Sequence, residues 1–521
     1  MHTRWLAALC LLAGCASAPV RPVRPTIDLS AADARLLEGC YGCLAEARDI
    51  YARAATGPQR RLVLPRLFEA ELLIALRDKE FALDPASALA RARALGPELP
   101  AAIDVERYLR LVEAMPYESA GWTRAEAAKL RGDHAEFSRH VDDELRWLRD
   151  DVLSPAVAEY LARAIDCGYA SRSTTPNRVK FDRPGDAAAP LIRFRAAVCT
   201  PGVPQLFEGL HENGSGFVDA SYYLGVLAVS TLPDGGPDPR PFISEIQRSL
   251  PDSPSVVYLA ATMQQTLGNC EAALPLFDRL IALKPQHEGG WLGRIVCLTA
   301  LQRTTDAIAA ATQVIDLKLA NRDEAYYWRG RNYHGLGQLA LARADSDMAK
   351  SMRIKSDIFT LAGLVEHDQD DLEIAEKDLQ RAQQMDRGTN CFAAWTLGSV
   401  YVKRQAWPQA AAAFDAARVC NEKDALARQS AMATLEANAA IDPEFRTNQV
   451  AVMRTFIDRA RHEQYAAALN SANFFYQSGD VDKARELLDV AELDPALTTE
   501  VASLRLLVPK VPGASRPPAE P

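Results

Sequence analysis

Apolar residues recur at helical spacing along most of the chain, with abundant alanine and leucine and little alternation of β-branched residues. This pattern predicts α-helices rather than strands. In the second half, one alanine position recurs at intervals of 34, 35, 33 and 35 residues, at Ala273, Ala307, Ala342, Ala375 and Ala410. A fixed period of this length indicates stacked pairs of helices, because no single pair buries its own apolar face.

Small, aromatic and turn-forming residues accompany these alanines in one register. In the third repeat they are Gly330, Tyr333, Gly337 and Ala342, and in the fifth they are Leu397, Gly398, Tyr401, Ala410, Phe414 and Ala417. The register resembles that of tetratricopeptide repeats (TPR) and covers residues 254–495. The resemblance implies an all-α fold, a right-handed α-solenoid of TPR helix pairs, each with a helix A, a turn and a helix B. Glycine at the turn takes a backbone angle that other residues resist.

The rest of the chain divides by composition and regularity. Residues 29–250 are expected to form a degenerate TPR-like helical region, or else a separate helical domain packed on the repeats. Within it, residues 29–56 fit a helix B, and a long amphipathic helix is predicted at 65–83. The TPR array is placed at 251–505, with one longer, irregular unit between Ala410 and Ala484 that contains a helix at 448–461. Residues 506–521 are Pro-rich and predicted to be disordered.

The N-terminus carries candidate targeting signals. Arg4 precedes a short apolar run that ends in Leu12-Ala13-Gly14-Cys15. The run is too short to span a bilayer, so residues 1–15 are predicted to be a signal peptide. Its end resembles a bacterial lipobox, which implies acylation of Cys15 and a stable anchor of two or more chains. In the alternative, an ordinary secretory signal, Cys15 is incidental.

The residues after Cys15 refine the expected location. Ala16 in place of an aspartate implies, for a Gram-negative lipoprotein, sorting to the outer membrane, facing the periplasm. Residues 16–28 form a Pro-rich tether of the polyproline II type. The net charge of −9, with both signs interspersed, argues against a nucleic-acid footprint. No later apolar stretch is long enough to predict a transmembrane helix.

Cysteine usage supports export. Ten cysteines, less Cys10 in the signal and the acylated Cys15, leave eight, an even number that favours disulfides in an oxidising compartment. The repeat frame places Cys391 at the start of a helix A and Cys420 at the end of its helix B, which an antiparallel hairpin brings together. Candidate pairs are Cys391 with Cys420, Cys270 with Cys297, and Cys167 with Cys199. Eight separate buried thiols are the alternative.

Few motifs indicate chemistry. Cys40 and Cys43 form a Cys-x-x-Cys that could be a local disulfide, a redox centre or half of a metal site. No thioredoxin-like pattern or second ligand pair accompanies it, so the local disulfide is favoured. The acidic run 366–373 lacks an EF-hand pattern and is expected to be a solvated turn. No catalytic signature appears, so no enzyme, cofactor or metal is predicted.

The TPR resemblance also implies a ligand groove formed by helix A residues. Carried onto this sequence, the candidate groove residues are Tyr258, Leu292, Tyr327, Arg331, His334, Trp395 and Tyr476. Aromatic residues beside an arginine are typical of binding hot spots. The alternative is that several of them pack between repeats. The carboxylate-clamp pattern of chaperone-binding TPR proteins is absent.

These features together predict a lipid-anchored envelope scaffold that binds other envelope proteins or peptides through its concave face. The layout is similar to that of TPR lipoproteins of outer-membrane protein assembly and pilus secretin assembly, without a partner-specific motif. Two alternatives stay open. One is an exported thiol redox protein that uses Cys40 and Cys43. The other is a solenoid that binds peptidoglycan.

Overall fold

The computed structural model describes residues 27–114, 146–148, 153–170, 189–198, 204–212 and 217–508. These residues form helices and connecting turns, with no strand among them, which confirms the predicted all-α fold class. The chain divides into two compact units. The first comprises Met1–Lys79, Asp84–Met115 and Arg139–Ala196, and the second comprises Glu80–Leu83, Pro116–Ser138 and Ala197–Pro521. The second unit thus begins ahead of the boundary at 250 that the repeat pattern suggests.

The helices of the first unit do not follow the repeat period. They are α1 Ser30–Glu38, α2 Tyr41–Ala54, α3 Arg60–Glu80, α4 Ala86–Leu95, α5 Val105–Ala114, α6 Pro155–Ala170 and α7 Pro190–Val198. The prediction of one helix B at 29–56 is wrong, because Gly39 ends α1 in the left-handed conformation (φ 72°) and α2 begins two residues later. A turn of this kind is typical of glycine at a helix C-terminus.

Helix α3 is not amphipathic, contrary to the prediction, because it is buried on nearly every side. Its acidic side chains are buried as well, and each has a partner. Glu69 accepts a hydrogen bond from the backbone N–H of Ser154 at 2.6 Å. Glu71 accepts two from the guanidinium of Arg91, at 2.7 and 3.0 Å. Such pairing allows charged residues to lie inside a core. Because charged residues then occupy buried positions of α3, the sequence pattern does not show which faces of the helix are buried.

The second unit contains the repeat array. In the part of this unit that the structure describes, three helices precede the array: α8 Pro204–Glu212, α9 Asp219–Thr231 and α10 Arg240–Ser249. Repeats 1 to 5 are, in order, α11 Pro254–Thr266 with α12 Cys270–Leu283, α13 Glu288–Ala300 with α14 Thr304–Asp316, α15 Arg322–Gly335 with α16 Leu339–Met352, α17 Ser356–Asp368 with α18 Leu372–Met385, and α19 Cys391–Lys403 with α20 Trp407–Ala437. The chain continues through α21 Pro443–Gln477, α22 Val481–Ala491 and α23 Thr498–Leu507.

The alanine period has a structural counterpart in the turn between helix A and helix B. Each periodic alanine is fully buried, with 0% exposure. The residue five positions before it has a positive φ in each of repeats 1 to 5, at Gly268, Gln302, Gly337, Asp370 and Gln405. Gly479 stands in the same place before Ala484 in the last helix pair. Small residues also bring the helices close, since a Cβ on Gly398 would lie 2.9 Å from the ring of Phe414. The stacked helix pairs are an α-solenoid, as predicted.

The predicted irregular unit between Ala410 and Ala484 does not exist. Helix α20 has 31 residues and α21 has 35, so residues 448–461 lie inside one continuous helix and Cys420 lies within α20 rather than at its end. Neither helix contains glycine, and their only prolines, Pro408 and Pro443, stand in the first turn, where proline is tolerated. The two helices form a long hairpin with its tip at 438–442.

The tip of this hairpin contacts the segment that precedes repeat 1. The guanidinium of Arg240 lies 3.0 Å from a carboxylate oxygen of Asp442 and 4.5 Å from the ring centre of Phe445. Around them is an apolar cluster of Leu232, Leu435, Ile441 and Phe445. We call the contact between these six residues the clasp. It joins positions about 200 residues apart, so the second unit closes on itself.

Candidate functional site

A depression lies on the helix-A side of repeats 3 to 5. It has a volume of about 460 Å³ and is lined by Tyr327, Arg331, His334, Gly335, Asp357, Thr360, Leu361, Leu364, Asn390 and Phe392. A second depression of about 310 Å³ shares three of these residues and adds Glu324, Trp328, Lys355 and Ile358. Helices α15, α17 and α19 therefore present one continuous surface.

Helix α15 supplies three of the candidate groove residues. Tyr327, Arg331 and His334 are spaced by four and three residues, so they lie on one helical face. The guanidinium of Arg331 is 5.2 Å from the ring centre of Trp328, within the range of a cation–π contact. Burial raises the pKa of the Tyr327 phenol, and the positive charge of Arg331 partly opposes that rise. The structure thus places an aromatic pair and a cation side by side.

His334 is held in place by a carboxylate of the next repeat. Its Nε2 lies 2.7 Å from Oδ2 of Asp368, and Nδ1 of His367 lies 2.8 Å from Oδ1 of the same residue. Burial alone would raise the pKa of Asp368, but the hydrogen bonds with the two histidines outweigh burial and lower it. His334 therefore forms a wall of the depression with a fixed ring orientation.

Asn390 organises the junction between repeats 4 and 5. Its Nδ2 donates to Oγ of Ser356 and Oγ1 of Thr360, each at 2.9 Å. Its Oδ1 accepts from the backbone N–H of Ala393 at 2.9 Å and so caps α19. The cap sets the first turn of α19, where the Phe392 side chain is 54% exposed. Sequence reasoning missed both Asn390 and Phe392, although an asparagine just before a predicted helix is a recognisable signal.

The other candidate groove residues do not line this depression. Tyr258 packs against the ring of His287, with ring centres 5.0 Å apart, and Trp395 packs edge-on against Phe414 at 5.1 Å. Tyr476 packs on the apolar core of the last helix pairs. Leu292 is half-buried in repeat 2. These side chains therefore occupy helix-A positions outside the depression. Packing between repeats, rather than groove formation, is the alternative that the sequence leaves open for them.

The acidic run contains a buried carboxyl, which corrects the expectation of a solvated turn. Glu366 belongs to α17 and is fully buried. Its Oε1 lies 3.3 Å from Nζ of Lys350, while its Oε2 has no hydrogen-bond partner in the described part of the chain. Burial, together with the charge of Asp378, raises the pKa of Glu366 to about 7. Lys350 also forms ion pairs with Asp378 at 2.7 Å and with Asp347 at 3.1 Å, so it interacts with three carboxylates.

Three cysteine pairs are joined in the structure. The Cα atoms of Cys40 and Cys43 are 4.9 Å apart, those of Cys270 and Cys297 5.0 Å, and those of Cys391 and Cys420 5.3 Å. Cys15, Cys199 and the side chain of Cys167 lie outside the described residues. Oxidation of these pairs in the exported protein stays a prediction.

The described residues give no sign of a metal site or a membrane span. No group of histidine, cysteine, aspartate or glutamate within the described ranges could hold a metal ion. In the same ranges, no helix is both long enough and apolar enough to cross a bilayer.

The comparisons with known proteins concern the fold. No family model matches the sequence, and no curated protein sequence matches it. The structure is similar to YrrB, a TPR protein with an unusual peptide-binding site, at 15% identity and a TM-score of 0.28 over 36% of this chain and 96% of YrrB. It is also similar to a chain of the APC/C hetero-tetramer Cut9–Hcn1, at 14% identity and a TM-score of 0.35 over 85% of this chain and 89% of that one. At these TM-scores the similarity carries no argument, so the α-solenoid rests on the helix pairs described above.

Proposed function

We propose that this protein is a scaffold that binds a segment of a partner protein in the depression on α15, α17 and α19. The observation that carries the proposal is the convergence of Tyr327 and Arg331 from repeat 3 and Phe392 from repeat 5 on one surface. Aromatic and arginine side chains are the residue types that supply most of the energy in protein interfaces. A repeat array is suited to this role because its stacked helices hold such side chains on a preformed surface.

The proposal extends to the location of the protein. We propose that Cys15 is acylated and anchors the chain in the outer membrane, facing the periplasm, and that its partners are other envelope proteins. The lipobox-like end of the signal supports this, as does the even cysteine count. Ile27 exchanges hydrogen bonds with Gln59 of the folded body, so the part of the predicted tether that can extend is residues 16–26. If fully extended, it would hold the body roughly 30–35 Å from the bilayer.

The anchor is tested by cell fractionation of the Cys15→Ala variant. A processed wild-type chain is expected in the membrane fraction and labelled by palmitate. The variant should lose the label and leave that fraction. A wild-type chain that is unlabelled and already soluble would rule out the anchor.

The geometry does not favour the redox alternative. Cys40 and Cys43 are only 8% and 4% exposed, which leaves little access for an exchange partner. Cys40 is also the N-cap of α2, where its sulfur accepts from the Cys43 backbone N–H at 3.0 Å. This pair is therefore better suited to holding the start of a helix.

The scaffold is tested by purifying the membrane-anchored protein with its partners after crosslinking. The Tyr327→Ala/Arg331→Ala variant is expected to lose at least about nine-tenths of the captured partner, because truncating hot-spot residues costs 2 kcal/mol or more. The matched control is Arg428→Ala/Phe456→Ala, which removes another exposed cation–aromatic pair, 5.4 Å apart, on the long hairpin. If the first variant keeps every wild-type partner, the depression is not the binding site.

A further inference from the structure

We infer that the segment bound in the depression carries a carboxylate side chain and, a few residues away, a large apolar one. The carboxylate lies on Arg331 and the apolar side chain on Phe392. This inference rests on the proposed function for its location. It adds the chemistry of the partner, an acidic and apolar peptide segment.

The first step is the charge balance of the depression. The two carboxylates that line this depression or its neighbour already have cations: Asp357 lies 3.6 Å from Lys355, and Glu324, in the second depression, lies 3.2 Å from Arg353. His334 is committed to Asp368. Arg331 is exposed and forms no ion pair within 4 Å with any residue that the structure describes. An incoming carboxylate therefore meets an available cation, whereas an incoming cation would have to displace Lys355.

The second step is the geometry of Arg331. The contact with the Trp328 ring at 5.2 Å restricts the guanidinium, so less rotamer freedom remains to be lost on binding. The contact with Trp328 leaves N–H groups of the guanidinium along one edge for hydrogen bonds, in addition to the hydrogen bond that Arg331 forms with Tyr327. That edge matches a carboxylate, which it can bind with two parallel hydrogen bonds.

The third step is the apolar side of the depression. Phe392 is 54% exposed, whereas Leu361, which lines the same depression, is only 6% exposed. Leu364, also on α17, is half-buried. An apolar side chain laid on this surface removes both itself and Phe392 from water, which favours binding because the burial of apolar area is stabilising. The polar rim formed by Thr360 and Asn390 is already satisfied internally.

The spacing of the two contacts follows from the helices. Arg331 is on α15 and Phe392 is on α19, with α17 between them, and neighbouring A helices contact each other. Packed helices are about 8–10 Å apart, so the axes of α15 and α19 are about 16–20 Å apart. An extended peptide rises about 3.3 Å per residue. The acidic and apolar residues are therefore expected about five or six positions apart.

The test is fluorescence anisotropy with the full chain and a panel of synthetic peptides. Each labelled peptide has capped termini, a glycine–serine background, one phenylalanine and one glutamate two to eight positions away. Matched peptides carry glutamine or lysine in place of glutamate. The glutamate peptides are expected to bind at least about tenfold more tightly than their glutamine counterparts, with an optimum near five or six positions. The preference should weaken as salt is added.

Two variants assign the preference to its residues. Arg331→Gln is expected to abolish the tenfold difference between glutamate and glutamine peptides. Arg381→Gln is the matched control, since Arg381 is also exposed and stacked, 4.6 Å from the ring of Phe359, but lies on a helix B. It should leave the difference intact. Phe392→Ala should weaken both peptides and keep their ratio.

The inference and the proposed function fail in different ways. If no glutamate peptide binds better than its glutamine or lysine counterpart, or if Arg331→Gln keeps the preference, the acidic partner is ruled out. The scaffold would then still stand if crosslinked partners are lost in the Tyr327→Ala/Arg331→Ala variant. If those partners are retained, the depression itself is excluded as the binding site.

Discussion

At the scale of single residues, the turn inside each repeat decides where helix A ends. The left-handed conformation occurs at glycine in repeats 1 and 3, but at Gln302, Asp370 and Gln405 in repeats 2, 4 and 5. A side chain with a Cβ in this conformation costs about 1–2 kcal/mol. The array tolerates this cost because the packing of the flanking helices fixes the turn.

Replacing these residues by glycine should therefore stabilise the array. We expect Gln302→Gly or Gln405→Gly to raise the free energy of unfolding by about 0.5–1 kcal/mol, after the greater chain entropy of glycine is subtracted. Amide hydrogen exchange of repeats 2 and 5 measures this change. The control is Gln313→Gly, in the interior of α14, which should lower stability by about 1 kcal/mol. A loss of protection in Gln302→Gly would contradict the account of the turn.

Glu366 should make stability depend on pH. Its pKa is about 7 in the folded protein and 4.5 in the absence of the fold, so the folded state binds more protons between these values. The stabilisation is therefore present below about pH 4.5 and is lost as the pH rises through about 7. Relative to Glu366→Gln, the wild type should lose on the order of 2 kcal/mol of unfolding free energy between pH 5 and 8. Denaturation curves of both proteins at pH 5 and pH 8 measure this difference. If the unfolding free energies of the wild type and Glu366→Gln change equally between these pH values, Glu366 is not a buried, protonated carboxyl.

At the scale of elements, the long hairpin shows what a repeat period can and cannot predict. The period correctly places the helices of repeats 1 to 5, because Ala342 and its equivalents must be small to let helices approach. It fails after Ala410, where an uninterrupted helix replaces a turn. Helices α1 to α7 were also poorly predicted, because buried acidic residues such as Glu69 and Glu71 break the apolar pattern.

The candidate site was predictable to a similar extent. Tyr327, Arg331 and His334 follow from the helix-A groove positions that the TPR resemblance implies. Tyr258 and Trp395 occupy helix-A positions too, but they pack against neighbouring rings. Nothing in the sequence distinguishes a helix-A residue that lines the depression from one that packs between helices. Phe392 was missed because it stands in the first turn of α19. There the orientation of its side chain depends on the Asn390 cap and not on the repeat period.

The disulfide between Cys391 and Cys420 should stabilise the base of the hairpin. It joins the start of α19 to α20 at a separation of 29 residues. Closing a loop of this size is worth about 3–4 kcal/mol in the chain-entropy model. Non-reducing peptide mapping should recover the bridge, and Cys391→Ser/Cys420→Ser should lose protection around residue 420. Finding both thiols open to alkylation in the folded, exported protein would contradict this.

At the scale of the whole second unit, the clasp closes the array. Phe445 is 3% exposed and lies under the guanidinium of Arg240. The contact joins the hairpin tip to the chain before repeat 1. It therefore restrains how far the first and last repeats can separate. The same restraint limits changes in the curvature of the surface that carries the depression.

Loss of the clasp should loosen two distant segments together. We expect Phe445→Ala to cost about 3 kcal/mol locally. Hydrogen exchange should rise both at 431–450 and at 232–249 in Phe445→Ala. A rise confined to the hairpin would show that the clasp does not restrain the array.

The central claim is that the surface of α15, α17 and α19 binds a partner protein. Site-specific photocrosslinking tests it most directly, with benzoylphenylalanine in place of Phe392 and, as control, in place of Leu341, which is 49% exposed on a helix B. We predict a discrete protein adduct from position 392 on irradiation of intact cells, reduced by Arg331→Gln, and none from position 341. No adduct at 392, or equal adducts at both positions, would contradict the account.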